Sequence, residues 1–424
     1  MIVFFVRRYN DIDHVAPVVY KWAGAGSRDT LVLCNDPAYD IGADYRLAFL
    51  RDRCGVEVDY SYRAWRPSLA HRLAAAWLCG RGTRGAEADE AADGFTGRLA
   101  RRWLFDRAWA RGLLERLGAS VVVFDWAKPH QFVTGALLAA ARELGLPTIG
   151  LPHGLKLWTL EAMREESFEI PSYRDFFPYD YLVAPNALFA DLFVEGGVPR
   201  EKVHVLGSAR FCDEWERIYE GLSPDGATLP PDDGRLKVVL MEGSHRYGTG
   251  EAVFVDTVNR LARLPFVQLI VKPKTASSGA DRLAAGFDAG VALDPATPSL
   301  TLCRWADAVI MMCTSIAFEV FQQGKVLIYP KYLYTKRSIF EELRAGWVVG
   351  SWAEMETALR RLHGQRGYRP YPAAAVRAFL RETVSGGHEG PDVLGRYVAF
   401  LEAVAAGRHP SVVEVAWRPG RARA

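Results

Sequence analysis

No stretch of the chain is apolar for long enough to cross a bilayer. The opening run Met1 to Val6 meets Arg7, Arg8 and Asn10 at once, too soon for the apolar region of a signal peptide. A cytoplasmic protein is therefore expected. Cysteine is scarce: Cys34, Cys54, Cys79, Cys212, Cys303 and Cys313 form no CxxC pair and no His–Cys spacing. This argues against structural zinc and a disulfide scaffold, and for buried thiols in a reducing compartment. Charge of one sign is also lacking. A formal net charge of +2, with arginines dispersed and not striped among aromatics, argues against nucleic acid as a partner. There is no GxxxxGK[ST] for a P-loop, and the glycine-containing Lys21 to Ser27 precedes a strand where a dinucleotide fingerprint would follow one. HExxH and clustered metal ligands are missing too, so nothing calls for a metal or a cofactor.

What is present is alternation. Short β-branched runs take turns with longer helical patterns, the signature of parallel sheets with crossover helices. Strands are expected at Ile2 to Val6, Leu31 to Cys34, Val56 to Tyr60, Val121 to Phe124, Thr148 to Leu151, Tyr181 to Val183 and Val203 to Leu206. A second set follows at Leu236 to Met241, Val267 to Val271, Val309 to Met312, Val326 to Tyr329 and, more weakly, Trp347 to Val349. At 424 residues the chain is longer than one core usually supports. Gly221 to Gly234 is rich in proline, glycine and aspartate and has little to bury, so it reads as a linker. The expected plan is a first lobe over 1–220, a linker over 221–235, a second lobe over 236–388, and a C-terminal helix and tail over 389–424 packing back across the lobes. Gly80 to Gly94 is poor in bulky apolar residues and reads as an excursion. Behind it, Arg98, Arg101, Arg102, Trp103, Leu104 and Phe105 form a basic, aromatic patch: an ordinary solvated helix face, or a contact for anionic lipid at the inner face of the cytoplasmic membrane.

Ligands of open parallel sheets bind outside the carboxyl ends of the strands, so chemistry is sought there. Pro152-His153-Gly154 follows a strand, and a histidine titrating near neutrality suits proton transfer from a hydroxyl. Asp125 ends another strand; it either orients His153 or caps the next helix, and nearby His130 is a rival base. In the second lobe, Glu242-Gly243-Ser244, Lys272-Pro273-Lys274 and Cys313-Thr314-Ser315 each follow a strand, with Glu319 one turn on. Hydroxyls before a helix make a phosphate pocket or a plain N-cap, and Glu319 is placed to accept from ribose hydroxyls.

The order of five pieces, P-H-G-L-K from Pro152, Y-D-Y-L-V-A-P-N from Tyr179, V-H-V-L-G-S-A-R-F from Val203, V-K-P-K from Val271 and the run Ala306 to Pro330, resembles a known superfamily. It is that of the bacterial CDP-glycerol glycerophosphotransferases of teichoic-acid synthesis and related capsule and surface-polysaccharide transferases. The resemblance implies an α/β fold of the GT-B kind, two Rossmann-like lobes whose parallel sheets face a central cleft. It implies transfer of a sugar or glycerophosphoryl group from a CMP-, CDP- or UDP-linked donor to a glycan, lipid-linked or protein-linked acceptor. By the same resemblance His153 is the base, and Lys272, Lys274, Thr314 and Ser315 contact donor phosphates. Arg210 stands where the family often has an arginine, near a donor or acceptor phosphate. Two departures stand out: Pro273-Lys274 replaces a His-Pro pair, and Met312 or Cys313 replaces an acidic residue. The first 120 residues carry no family signature. Rival expectations are a UDP-N-acetylglucosamine 2-epimerase-like enzyme and a non-catalytic, nucleotide-binding component of a polysaccharide assembly complex.

Overall fold

The first strand, β1 (Ile2–Val6), is buried along its whole length, as a strand flanked by neighbours and covered on both faces must be. In the computed structural model it lies third in a seven-stranded sheet, with β2 (Thr30–Cys34), β3 (Glu57–Tyr60), β4 (Val121–Asp125), β5 (Thr148–Leu151), β6 (Tyr181–Ala184) and β7 (Val203–Val205). The order is β3-β2-β1-β4-β5-β6-β7, and every pairing is parallel. A six-stranded parallel sheet follows, from β8 (Leu236–Met241), β9 (Val267–Lys272), β10 (Ala292–Leu293), β11 (Ala308–Met311), β12 (Val326–Pro330) and β13 (Trp347–Val349), in the order β10-β9-β8-β11-β12-β13. The residues described are all but 27–28, 80–94, 155–156, 158–168, 223–228, 244–249, 274–284, 313, 335–336 and 412–424.

The chain divides into two compact units. The first comprises Met1–Leu155, Ile170–Leu222 and Thr383–Ala416; the second is built chiefly from Ser223–Glu382. The C-terminal helix Val393–Ala405 thus belongs to the first unit, where the Tyr397 hydroxyl donates to the Gly207 carbonyl at 2.9 Å. The expected strands agree with the observed ones to within a residue or so at their ends. The two-residue β10, half exposed and without an apolar run of its own, was not expected.

Within the first unit the helices that matter here are α1 (Tyr9–Gly24), α2 (Tyr45–Cys54), α3 (Ser61–Ala64), α4 (Leu69–Cys79), α5 (Phe95–Trp103), α6 (Arg107–Leu117) and α7 (Thr134–Glu143). Helix α1 buries Ile12, Val15, Ala16, Val19 and Trp22, spaced at helical intervals along one side. Each sheet has one place where the strand order reverses: between β1 and β4 in the first unit, and between β8 and β11 in the second. Chain leaving two neighbouring strands there departs in opposite directions, which opens a crevice over their carboxyl ends.

Candidate active site

The first unit's reversal point is lined by charge. Arg7 directly follows β1, Asp11 lies in the first turn of α1, Asp125 ends β4, and His153 stands two residues beyond β5. Asp11 is held by both backbone and side chain. Its Oδ2 accepts the backbone N–H groups of Arg7 at 3.1 Å and Arg8 at 3.0 Å, which satisfies donors that the amino end of α1 leaves open. The same oxygen lies 3.2 Å from Arg7 Nε. Asp11 Oδ1 points the other way and sits 2.5 Å from His153 Nδ1. Asp125 Oδ2 is farther from that nitrogen, at 3.4 Å, and its carboxylate is gripped in a two-pronged contact by Arg7, through Nε at 3.2 Å and through Nη2.

The end of β4 is itself pinned. The Tyr179 hydroxyl reaches the carbonyls of Asp125 at 3.2 Å and Ala127 at 2.5 Å. Its ring crosses β5 at Gly150, where a Cβ would stand 2.6 Å from Tyr179 Cδ2, so only glycine admits the ring.

Two carboxylates and two cations balance here. Burial disfavours charge on the His153 ring, but Asp11 and then Asp125 more than reverse it, and the imidazole is pushed up to about 10. Burial likewise raises Asp11, yet Arg7 and His153 hold it well below the usual carboxylate range. Arg7, opposed by burial and favoured by both aspartates, stays charged. His14, buried nearby, is pushed down to about 3 by burial and stays neutral. Although the Nδ1 edge of His153 is buried against the acids, 42% of its side chain is exposed, so the accessible part of the ring is the edge that carries Nε2. Asp11, Asp125 and His153 have the donor types and proximity of a metal-ligand trio. Arg7 already neutralises both carboxylates, however, and His153 holds its proton; this set fits proton transfer better than cation binding.

His130, the rival base, is exposed and lines a different cavity with Arg101 and Arg102. Arg210 is buried and paired through Nε with Asp13 at 2.5 Å, its guanidinium stacked 4.2 Å over the Tyr219 ring. Asp13 also holds the fully buried Arg46 at 2.7 Å. Removing one partner from such a buried set typically costs about 3–5 kcal/mol, so this neighbouring network reads as support for the α1 turn.

The second unit presents its strand ends differently. Lys272 is buried, and its ammonium donates to the carbonyls of Pro295 at 2.6 Å and Thr297 at 2.7 Å, so two of its three donors close the loop after β10. Burial lowers its pKa. Gly243 approaches Met312 across the reversal point, where an added Cβ would sit 3.0 Å from the methionine side chain. Thr314 and Ser315 are half-buried just before the helix Ala317–Gln322, with Thr314 Oγ1 3.5 Å from the Ile316 N–H nitrogen. Glu319 is buried in that helix. Ser244 and Lys274 lie outside the described residues.

Sequence reasoning placed His153 and Asp125 at neighbouring strand ends and missed Arg7 and Asp11. Arg7 directly follows β1 and Asp11 lies four residues further on in α1, and it is the strand order, setting β1 beside β4, that brings both to the histidine.

No protein-family model matches the sequence, and no curated protein is detectably similar to it. Solved structures are. The S. aureus MnaA–UDP co-structure aligns with a TM-score of 0.56 at 11% identity, covering 97% of this chain and 99% of that one. UDP-GlcNAc 2-epimerase from Neisseria meningitidis, bound to UDP-GlcNAc, aligns with a TM-score of 0.52 at 13% identity, over 90% and 99% of the two chains. A glycosyltransferase from Rickettsia africae gives 0.53 at 10% identity, over 96% and 97%. At these identities the likeness is one of fold, the GT-B-like α/β plan with two parallel sheets.

Proposed function

We propose that the chain is an enzyme acting on a nucleotide-linked substrate, and that it transfers a sugar or glycerophosphoryl group to an acceptor hydroxyl in surface polysaccharide or glycoconjugate synthesis. The observation that carries this reading is the 2.5 Å approach of His153 Nδ1 to Asp11 Oδ1 at the reversal point of the first sheet. A carboxylate this close to Nδ1 favours a proton on that nitrogen, which leaves Nε2 for proton exchange with the acceptor. His153, once deprotonated, takes the acceptor's hydroxyl proton as the oxygen attacks the activated carbon or phosphorus and the nucleotide departs with the bonding electrons. Asp11 and Asp125 stabilise the imidazolium that results. The donor's phosphates are assigned to Ser244, Lys274, Thr314 and Ser315, while Lys272 shapes the loop beside them and Glu319 lies behind. The fold neighbours caught with UDP or UDP-GlcNAc support a uridine-linked substrate over a cytidine-linked one.

A second reading, a UDP-N-acetylglucosamine 2-epimerase-like enzyme, is favoured by the likeness to epimerases at TM-scores of 0.52 to 0.57. The test is incubation with UDP-N-acetylglucosamine, without acceptor, followed by product analysis. Isomerisation establishes the epimerase reading and ends the transferase one. Nucleotide released only when an acceptor is added supports transfer. If neither uridine nor cytidine nucleotides bind, both readings fail, and a binding role on some other ligand takes their place.

A further inference from the structure

His14 stands one turn after Asp11 on α1, beside it on the helix surface, since residues three apart are neighbours there. The residue is 8% exposed, and its ring meets Phe211 edge-on with centroids 6.2 Å apart. Buried side-chain nitrogens are as a rule hydrogen-bonded. His71 and His388 follow the rule by each holding a backbone carbonyl, those of Leu104 and Val205, and His153 faces Asp11. His14 does not follow it. Among the described residues nothing hydrogen-bonds to either of its ring nitrogens. Nor is it sealed in like the Nε2 of His204, for both nitrogens of His14 keep contact with solvent.

The surroundings of the ring decide what it can meet. Burial pushes its pKa down to about 3; Asp13 opposes that, and the charges on His153 and Arg210 add to it. Near neutrality the ring is therefore one donor and one acceptor. Among the described residues the charges around it balance: Arg7, His153, Arg210 and Arg46 stand against Asp11, Asp125, Asp13 and Asp44. That set holds no positive surplus for a phosphate, and phosphate oxygens would leave the acceptor nitrogen of His14 facing an anion. A hydroxyl fits instead, because it too gives one hydrogen bond and takes one. The second turn of α1 rises from the carboxyl end of β1, so the open edges of His14 and His153 flank one crevice.

We propose that His14 is a substrate-binding residue whose ring hydrogen-bonds a hydroxyl of a sugar or polyol, beside the group of that molecule that reacts at His153 Nε2. The proposal rests on the reading of the site given above and narrows it to a reacting molecule with two polar groups side by side. A substrate with one isolated hydroxyl, such as a serine side chain or a simple lipid alcohol, would shut water away from His14 and give it no partner in return. In transfer the hydroxyl belongs to the acceptor; in an epimerase it belongs to the sugar of the nucleotide itself.

The test compares the full chain with His14→Phe, which keeps a ring of similar bulk and removes both nitrogens. Calorimetric titration with UDP-N-acetylglucosamine and with UDP is its first arm. If the hydroxyl lies on the sugar of the nucleotide, the variant should bind UDP-N-acetylglucosamine about three- to tenfold more weakly and UDP as the parent does. In the second arm N-acetylglucosamine is added to the UDP-saturated protein while NMR follows the histidine rings. If the hydroxyl lies on the acceptor, the His14 signal should shift in the parent, and the variant should bind this sugar about three- to tenfold more weakly. His14→Gln and His14→Asn each restore a donor and an acceptor, and one of them should recover most of the loss, which a packing role would not produce. Thermal melting checks that the variants fold, and His14→Met replaces His14→Phe if that variant does not. Parental affinities of the variant in both arms overturn the proposal and leave the transfer reading standing. Weakened binding of UDP itself, or a loss that neither amide recovers, also overturns it and assigns His14 to packing. A parent that binds neither UDP nor UDP-N-acetylglucosamine ends the uridine-linked reading of the site, and this proposal with it.

Discussion

The two sheets reverse their strand order in the same way, yet their polar strand ends behave oppositely. In the first unit the ionisable groups at the reversal point turn toward one another and leave the Nε2 edge of His153 accessible. In the second, Lys272 turns back into its own unit and holds the carbonyls of Pro295 and Thr297. Both occupy the position that open α/β sheets reserve for ligands. The difference is what the following loop requires: the loop after β10 leaves carbonyls that need a buried donor, while the turn after β1 satisfies its own backbone with Asp11 Oδ2 and still has Oδ1 to give. A strand-end position nominates a residue, and the local hydrogen-bond ledger determines whether it is available.

That contrast can be broken most forcefully at His153. Replacing it by alanine should lower kcat by about 10²- to 10⁴-fold, the usual worth of a positioned proton-transfer group, and should lower the melting temperature near neutrality too, because buried Asp11 loses a cation. A comparable loss from Lys272→Met, with His153→Ala near parental activity, would invert the assignment. Asp11→Asn comes next. It should destabilise the protein by about 3 kcal/mol, because Arg7 is left under-compensated. It should also bring the His153 titration, followed by NMR of the ring proton, down from about 10 toward the ordinary 6.5.

The pH dependence sharpens the comparison further. A histidine raised to about 10 is charged at rest near neutrality, so if it acts as a base, kcat/KM should climb about tenfold per pH unit and level off near pH 10. A flat profile that falls only above pH 10 would instead assign the charged imidazolium to holding an anion. Stability runs the other way. The folded state binds this proton more tightly than the unfolded chain, so its contribution is complete below pH 6.5 and lost as the pH rises through 10. Denaturant midpoints in that window, compared between parent and His153→Gln, measure it. The smallest effect is expected at Lys272→Met, which should cost about 1–3 kcal/mol by leaving two carbonyls without their donor, and change kcat by less than the substitutions in the first unit.

Much of the fold could be read from the sequence, because strands buried on both faces are written as unbroken apolar runs, as in β1 and β4. The C-terminal helix Val393–Ala405 was legible as an element, while its place in the first unit depends on contacts such as Tyr397 to Gly207 that no local pattern encodes. In the site, His153 and Asp125 could be found because each follows a run that reads as a strand. Arg7 and Asp11 were hidden by what surrounds them. Arg7 looks like the ordinary polar end of a strand and Asp11 like an ordinary first-turn acid, and only the strand order β2-β1-β4-β5 brings them to the histidine. Lys272, expected at a donor phosphate, has in addition a structural use that no local pattern encodes, since its ammonium donates to the carbonyls of Pro295 and Thr297.

The two oxygens of Asp11 have a consequence for how descendants of this chain should be read. One secures the entry into α1 and the other faces the histidine, so a lineage that gave up the chemistry would still be selected to keep the aspartate. His153 contributes to the fold chiefly as a cation beside Asp11, a role that another basic side chain could take over. Across diverging sequences the aspartate would mark inheritance of the scaffold, and the histidine would mark continued use of it.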